Sequence, residues 1–174
     1  MKNEKLDELL NQIFSNINSW LNFAEAKNAA NIALVIACLT AIFSLNSMNV
    51  LLYFISILFL ISGISSLCSL FPNLESYLEK KFSIIKKKRQ KTDLEDNLLF
   101  FEKIKNYTGI EYVKQVTKLY LQDNKEAFSK YQLDLADEIV YNAEIADFKY
   151  RCFRVAVKID IGAFVFLILG IIVA

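Results

Sequence analysis

Side chains that commonly do chemistry are sparse in this sequence. Its 174 residues include no His, which removes the usual general base, proton shuttle and commonest metal ligand, and with them Ser-His triads, His-containing zinc sites and most haem ligation. Gly63, Gly109, Gly162 and Gly170 are too scattered to build a GxGxxG turn or a phosphate-cradling P-loop. Cys38, Cys68 and Cys152 form no CxxC pair, and two of them sit in apolar runs where a thiol acts as a small hydrophobe. With no nucleophile-base pair and no metal cluster in view, no catalytic residue, metal site or cofactor is expected, and the protein is not expected to be an enzyme. What remains is positive charge: Lys80, Lys81, Lys86, Lys87, Lys88, Arg89 and Lys91 in one run, and Lys149, Arg151, Arg154 and Lys158 in another.

The elements that hold these cations are apolar. Hydrophobic residues make up 55% of the chain and charged residues 22%, with a mean hydropathy of +0.32, and the excess is localised. No Asp, Glu, Lys or Arg occurs between Asn28 and Leu74. That run is too long for one membrane helix, which takes about 20 residues at 1.5 Å each, so it reads as a hairpin of two spans, 29–45 and 50–71, turning at Asn46-Ser47-Met48-Asn49. A third stretch, Ile161–Ala174, is uncharged, and extended back to Val155 it reads as a third span, 155–174. Its uncharged part covers only about 21 Å, so crossing needs the preceding turn or a thinned bilayer. With the chain closing at Ala174, no folded tail is expected beyond it.

The first 27 residues lack the compact apolar core of a secretory signal. Leu6, Leu10, Ile13, Ile17, Trp20 and Leu21 instead fall at helical spacing, which predicts an amphipathic helix over 1–27. Without a basic polar face, this helix is better suited to packing on partner helices than to lying on headgroups. The cations flank the apolar spans on one side only, which places the N-terminus and residues 73–154 in the cytoplasm and the C-terminus outside. A topology determinant explains the cations without a nucleic-acid partner.

Between Glu75 and Arg154 the pattern is helical. Thr92 with Glu95, and Thr108 with Glu111, have capping-box spacing and predict helix starts. The first helix would bury Leu94, Leu98, Phe101 and Ile104, the second Ile110, Val113, Val116, Leu119 and Tyr120, with Gly109 breaking the chain between them. From Lys125 no Pro or Gly appears until Gly162, so one long helix is expected to run from Lys125 into the third span. Its cytoplasmic half would carry Phe128, Tyr131, Leu135, Ile139, Asn142 and Ala146 on one face. Such a helix has no hinge to absorb a displacement. The expected fold is therefore an all-α membrane protein: an N-terminal amphipathic helix over 1–27, a transmembrane hairpin over 28–72, a cytoplasmic helical sensor region over 73–154, and a last helix continuing into the third span.

Small residues recur along the spans. Ala26, Ala30, Ala33, Ala37 and Ala41 lie every three or four positions in the first, and Ser62, Ser65, Ser66 and Ser69 surround Gly63 in the second; both patterns permit close helix approach, within the hairpin or between subunits. No central charge marks an ion pathway, which argues against a dedicated proton or ion transporter. Three spans cannot enclose a wide aqueous path, so permeabilisation calls for several copies or a gross disturbance of the lipid, and a homo-oligomer is expected.

Several segments together carry a family likeness. Ala24-Glu25-Ala26-Lys27-Asn28 at the mouth of the first span, Phe71-Pro72 after the second, and Asn97-Leu98-Leu99-Phe100-Phe101 with Glu111-Tyr112 are the first of them. Asp134-Leu135-Ala136 and Ile145-Ala146-Asp147-Phe148-Lys149-Tyr150 complete the set, which resembles the Pycsar transmembrane effector family, related to the SLATT-type membrane proteins. The resemblance implies a bacterial antiphage effector of the inner membrane. A partner cyclase would make a cyclic pyrimidine mononucleotide, cUMP or cCMP, the effector would sense it, and loss of membrane integrity would cause abortive infection. A non-enzymatic membrane scaffold, or a constitutive small pore of toxin type, is the alternative. Carried over from the motifs, the implied ligand residues are Lys27, Asn28, Lys149 and Tyr150, with Arg151 beside them. A phosphodiester needs a cation or backbone N–H groups, and a base needs an aromatic plane. The competing reading of Glu25, Lys27 and Lys149 is an interfacial salt bridge that fixes helix register, the lysine stems snorkelling.

Overall fold

The computed structural model describes residues 2–45, 49–71, 96–124 and 127–173, and among these every regular element is a helix. They are α1 (Lys2–Phe43), α2 (Val50–Cys68), α3 (Phe101–Ile104), α4 (Gly109–Tyr120) and α5 (Lys130–Val173). The expected turn residues Asn46–Met48, the Lys80–Lys91 cations, the Thr92–Glu95 box, Leu94, Lys125 and Ala174 lie outside the described residues. Contacts divide the chain into two units, Met1–Phe23 with Leu78–Asp147, and Ala24–Tyr77 with Phe148–Ala174.

The amphipathic segment and the first apolar run form one helix, α1, because no Gly or Pro interrupts 42 residues. Its stripe packs as the spacing predicts: Leu6, Leu10, Ile13 and Ile17 are all buried in the first unit. There they join Leu98, Ile104, Tyr112, Val113, Ile139 and Ala143. Polar pairs set the register beside this core. Gln132 Nε2 donates to Asp7 Oδ1 at 2.7 Å, Asn142 Nδ2 to Asn18 Oδ1 at 3.0 Å, and Lys105 pairs with buried Asp147 at 2.6 Å.

Three local choices differ from the expected ones, each for a visible reason. Residues 96–100 are not helical: the Asn97 side chain accepts from Leu99 N at 3.0 Å, an Asx turn that competes with a helix, so α3 begins only at Phe101. The last helix begins at Lys130 rather than Lys125, because Ser129 and Gln132 cap it reciprocally. Gln132 N donates to Ser129 Oγ at 3.2 Å, and Ser129 N donates to Gln132 Oε1 at 3.1 Å. In α4 the Thr108–Glu111 box is present as expected, but the buried face is Gly109, Tyr112, Val113, Val116 and Thr117, while Ile110, Leu119 and Tyr120 are exposed.

That turned face follows from two contacts. Tyr112 is fully buried and donates its hydroxyl to Leu98 O at 2.7 Å, and burial pushes its phenol well above the ordinary tyrosine range. Gly109, the first residue of α4, lies so close to α5 that a Cβ there would strike the Asp137 side chain and stand 2.8 Å from Asp137 N. On α5 the buried face runs through Gln132, Leu135, Ala136, Ile139, Ala143 and Ala146, whereas Tyr131 is exposed, with its hydroxyl bonded to Asn11.

In the second unit α1, α2 and α5 pack around Val35, Ile42, Ile55, Phe59 and Ala163. Asn49 caps α2, its Oδ1 accepting from Leu52 N at 2.9 Å, and α2 ends at Cys68 rather than Phe71. Asn31 Nδ2 donates to the hydroxyls of Ser62 and Ser66, both at 3.1 Å, while Ser62 Oγ donates to Ala156 O at 3.2 Å and Ser65 Oγ to Cys152 O at 3.1 Å. Thus the serine face of α2 is used inside the hairpin and against α5. The α1 stripe Ala26, Ala30, Ala33, Ala37 and Ala41 points outward instead.

The outer surface of this unit is apolar, with Ile36, Ile57, Ile64, Ile161 and Ile168 each more than half exposed. Stretches of α1 and α2 are long and apolar enough to cross a membrane. One ionisable side chain is enclosed in this unit: Asp160 is 4% exposed.

Replacing Gly109 by Ala separates helix propensity from packing. Propensity alone would stabilise α4 by up to about 1 kcal/mol, but the collision with the Asp137 backbone should cost more, a net loss of about 1–3 kcal/mol. Thermal unfolding of the purified full chain checks it; a higher midpoint contradicts the packing described.

Candidate functional site

The implied ligand residues gather in the second unit, where α1, α2 and α5 approach one another, while the motif residues Asn97–Phe101, Glu111, Tyr112, Asp134–Ala136 and Ile145–Asp147 belong to the first. From α1 come Glu25, Lys27 and Asn28, from α5 Lys149, Tyr150 and Phe153, and from the end of α2 the carbonyl of Ser69. Helical spacing explains the grouping: positions 25 and 28 lie one turn apart, as do 149 and 153.

Lys149 is at the centre. Its side chain is 4% exposed, and a buried ammonium is tolerated only with hydrogen-bonded partners. Its Nζ donates to Ser69 O at 3.0 Å and pairs with Glu25 Oε1 at 3.0 Å. The Ser69 carbonyl follows α2, where unpaired carbonyls and the negative end of the helix dipole favour a cation. Glu25 is half exposed, so one arm of the pairing reaches solvent while the other is sealed. The lysine therefore does not snorkel; its head is the buried part.

Asn28 is fully buried and also joins α1 to α5. Its Nδ2 donates to Ala24 O at 2.9 Å and to Lys149 O at 3.1 Å. Both neighbours are carbonyl oxygens, which requires the nitrogen of the amide to face them. Its Oδ1 is buried and has no hydrogen-bond partner among the described residues. Lys27 lies over two rings, with Nζ 5.3 Å from the Tyr150 centroid and 5.4 Å from that of Phe153, within cation–π range. Burial pushes the Tyr150 phenol above its ordinary value. Arg151 stacks on Phe148, its guanidinium carbon 5.9 Å from the ring centroid.

The fold thus brings Lys27, Asn28, Lys149 and Tyr150 together around α1 and α5, while Arg151 sits on the Phe148 ring of its own helix. The Glu25–Lys149 pair of the register reading is present as well. Sequence reasoning missed Ser69 and Phe153. Ser69 acts through its carbonyl, which any residue would offer, so no side-chain signal could reveal it. Phe153 lies one turn beyond Lys149, a spacing that could have. Among the described residues no group of three His, Cys, Asp or Glu could hold a metal. Chemically, the cluster offers two cations, two aromatic faces and an unused amide oxygen: groups that suit an anionic, planar ligand, closed at present on one another.

The two partners of Lys149 should differ in worth. Lys149→Met leaves the Ser69 carbonyl without its donor, a loss of about 1–3 kcal/mol, whereas Glu25→Gln removes a half-exposed partner and should cost under about 1 kcal/mol. Thermal midpoints of the two variants test this ordering, and equal losses would contradict it.

Comparison with known proteins bears on the chain as a whole. No curated protein and no solved structure matches it. The family model described as Pycsar effector protein domain (PycTM) matches residues 9–174, which takes in every residue of the cluster. The match and the two apolar helices are consistent with a protein of the bacterial inner membrane. The family implies a cyclic-nucleotide signal made by a partner cyclase. The chain belongs to the Pycsar effector protein domain family and is thereby an antiphage defence effector.

Proposed function

We propose that the chain senses a cyclic pyrimidine mononucleotide, cUMP or cCMP, at the Lys149 cluster and responds by disrupting the inner membrane, ending in abortive infection. The observation that supports this reading is the partnering of Lys149: a buried ammonium held by one helix-end carbonyl and one half-exposed carboxylate. A cyclic phosphodiester bears a negative charge on two free oxygens, so it can replace both Glu25 and Ser69 as partners of that ammonium through charge-assisted hydrogen bonds. Lys27 adds a second cation, Tyr150 an aromatic face for the base, Asn28 an amide to read its edge, and Arg151 further positive charge. Drawing Lys149 from Ser69 would loosen the end of α2, so ligand binding is converted into helix displacement.

In this reading α5 continues into a third span over 155–174, the N-terminus is cytoplasmic and the C-terminus lies outside, following the positive residues before the span. The protein acts without catalysis and without a cofactor, on the lipid bilayer. The outward Ala26, Ala30, Ala33, Ala37 and Ala41 stripe supplies a close-packing surface for a homo-oligomer, which membrane disruption by so small a chain calls for.

Isothermal titration of the detergent-solubilised full chain with cUMP and with cCMP should show saturable binding to one of them. Lys149→Ala and Lys27→Ala should each weaken it, the former by about tenfold or more given the 1.5–3 kcal/mol typical of charged hydrogen bonds. Binding unaffected by both removes this site. Dye release from liposomes should depend on the nucleotide; constitutive leakage points to a toxin-like pore, and none at all to a scaffold.

A further inference from the structure

Asp160 has no part in the cluster described above, yet its surroundings are unusual. It lies on α5 in the second unit, 4% exposed, and neither carboxylate oxygen is open to solvent or has a hydrogen-bond partner among the described residues. On the same face of α5, Ala156 and Ala163 are fully buried. One turn earlier Ser62 Oγ is bonded to Ala156 O, and one turn later Phe164 meets Phe59 at 5.3 Å between ring centroids, edge to face. Asp160 therefore occupies the level of α2 between Ser62 and Phe59, neither of them ionisable. From α1 the titratable group within reach of its charge is the Cys38 thiol.

Among the described residues no fixed cation is placed against Asp160. The sequence from Asn28 through Leu74 carries no charged side chain, and on α5 the neighbouring Lys158 and Arg154 point outward and are exposed. An isolated carboxylate in apolar surroundings is so unfavourable that folded proteins pair it or neutralise it. Serine hydroxyls do not serve here: Ser62 already donates to Ala156 O and accepts from Asn31.

We propose that Asp160 is a binding site for a small monovalent cation, a proton or an alkali-metal ion, which balances its charge while the helices of the second unit are closed around it. A proton arrives from water and forms an O–H bond to one carboxyl oxygen; an alkali ion binds without bond exchange. The cation is taken up when the carboxylate is hydrated and trapped as the three helices close. Cation binding therefore stabilises the closed arrangement by mass action. This rests on burial and missing partners alone and is independent of the nucleotide reading.

The test uses the full chain in detergent, comparing wild type with Asp160→Asn, which keeps the shape and removes the charge. Thermal midpoints are measured in a pH series at fixed choline chloride, and at fixed pH as sodium or potassium replaces choline. The midpoint of the wild type, taken relative to the variant, should rise as pH falls if the cation is a proton, or with alkali concentration if it is an alkali ion. The expected size is about 3 °C for each tenfold rise in the bound cation. Equal shifts of both proteins in both series overturn the proposal. A wild-type measurement guards against a variant that fails to fold. A hydrophobic carbodiimide should modify Asp160 in choline buffer, with protection by an alkali ion if that is the occupant. Modification of other carboxylates that spares Asp160 in every buffer also overturns it.

Discussion

One ammonium group organises the polar end of the second unit. Lys149 is the residue at which α1, α2 and α5 meet: its side chain binds the carbonyl after α2 and a carboxylate of α1, and its backbone carbonyl accepts from Asn28 of α1. A charge this buried holds its neighbours in place, because any movement that separates it from Ser69 leaves a cation or a carbonyl unpaired. In the proposed reading the same property makes it the point of change: a ligand that displaced Glu25 and Ser69 from the ammonium would remove the restraint on three helices together.

Away from that end, the unit is built in the reverse sense of a water-soluble bundle. It carries polar atoms inside: Asn31 donates to Ser62 and Ser66, and the hydroxyls of Ser62 and Ser65 donate to carbonyls of α5. Large apolar side chains also cover its outside, Ile36, Ile57, Ile64 and Ile161 among them, beyond the few that fill its core. Packing of small residues with internal hydrogen bonds is how helices associate when the surrounding solvent is itself apolar. Gly63 fits this scheme, since a Cβ there would come within 3.2 Å of Val35 Cγ1. The first unit follows the opposite rule, with an apolar core of Leu10, Ile13, Tyr112 and Ile139 and charge on its surface.

Much of this was legible in the residues. The stripe of α1, the apolar hairpin and the Thr108–Glu111 cap rest on local spacing, and local spacing survives folding. Features set by tertiary contact were not. The face of α4 is turned because Gly109 admits α5 and Tyr112 needs a hydroxyl partner, neither of which periodicity encodes. The start of α5 was sought in the absence of Gly and Pro, whereas the reciprocal Ser129–Gln132 cap decides it. For the cluster, the motifs located Lys27, Asn28, Lys149 and Tyr150, but not that the head of Lys149 is buried, since its partner is a main-chain oxygen. Asp160 is a similar case: the sequence shows it as a charged residue just before the uncharged stretch Ile161–Ala174, but its sealed environment comes from tertiary contact.

The burial of Lys149 can be measured directly by reductive methylation of the full chain in lipid nanodiscs without nucleotide, with the modified lysines mapped by peptide mass. The structure requires Lys149 to be modified at least about ten times more slowly than the exposed Lys114 and Lys130, since a group so well enclosed reacts only when the helices open locally. Methylation of Lys149 as fast as those two would show that the three helices are not joined there.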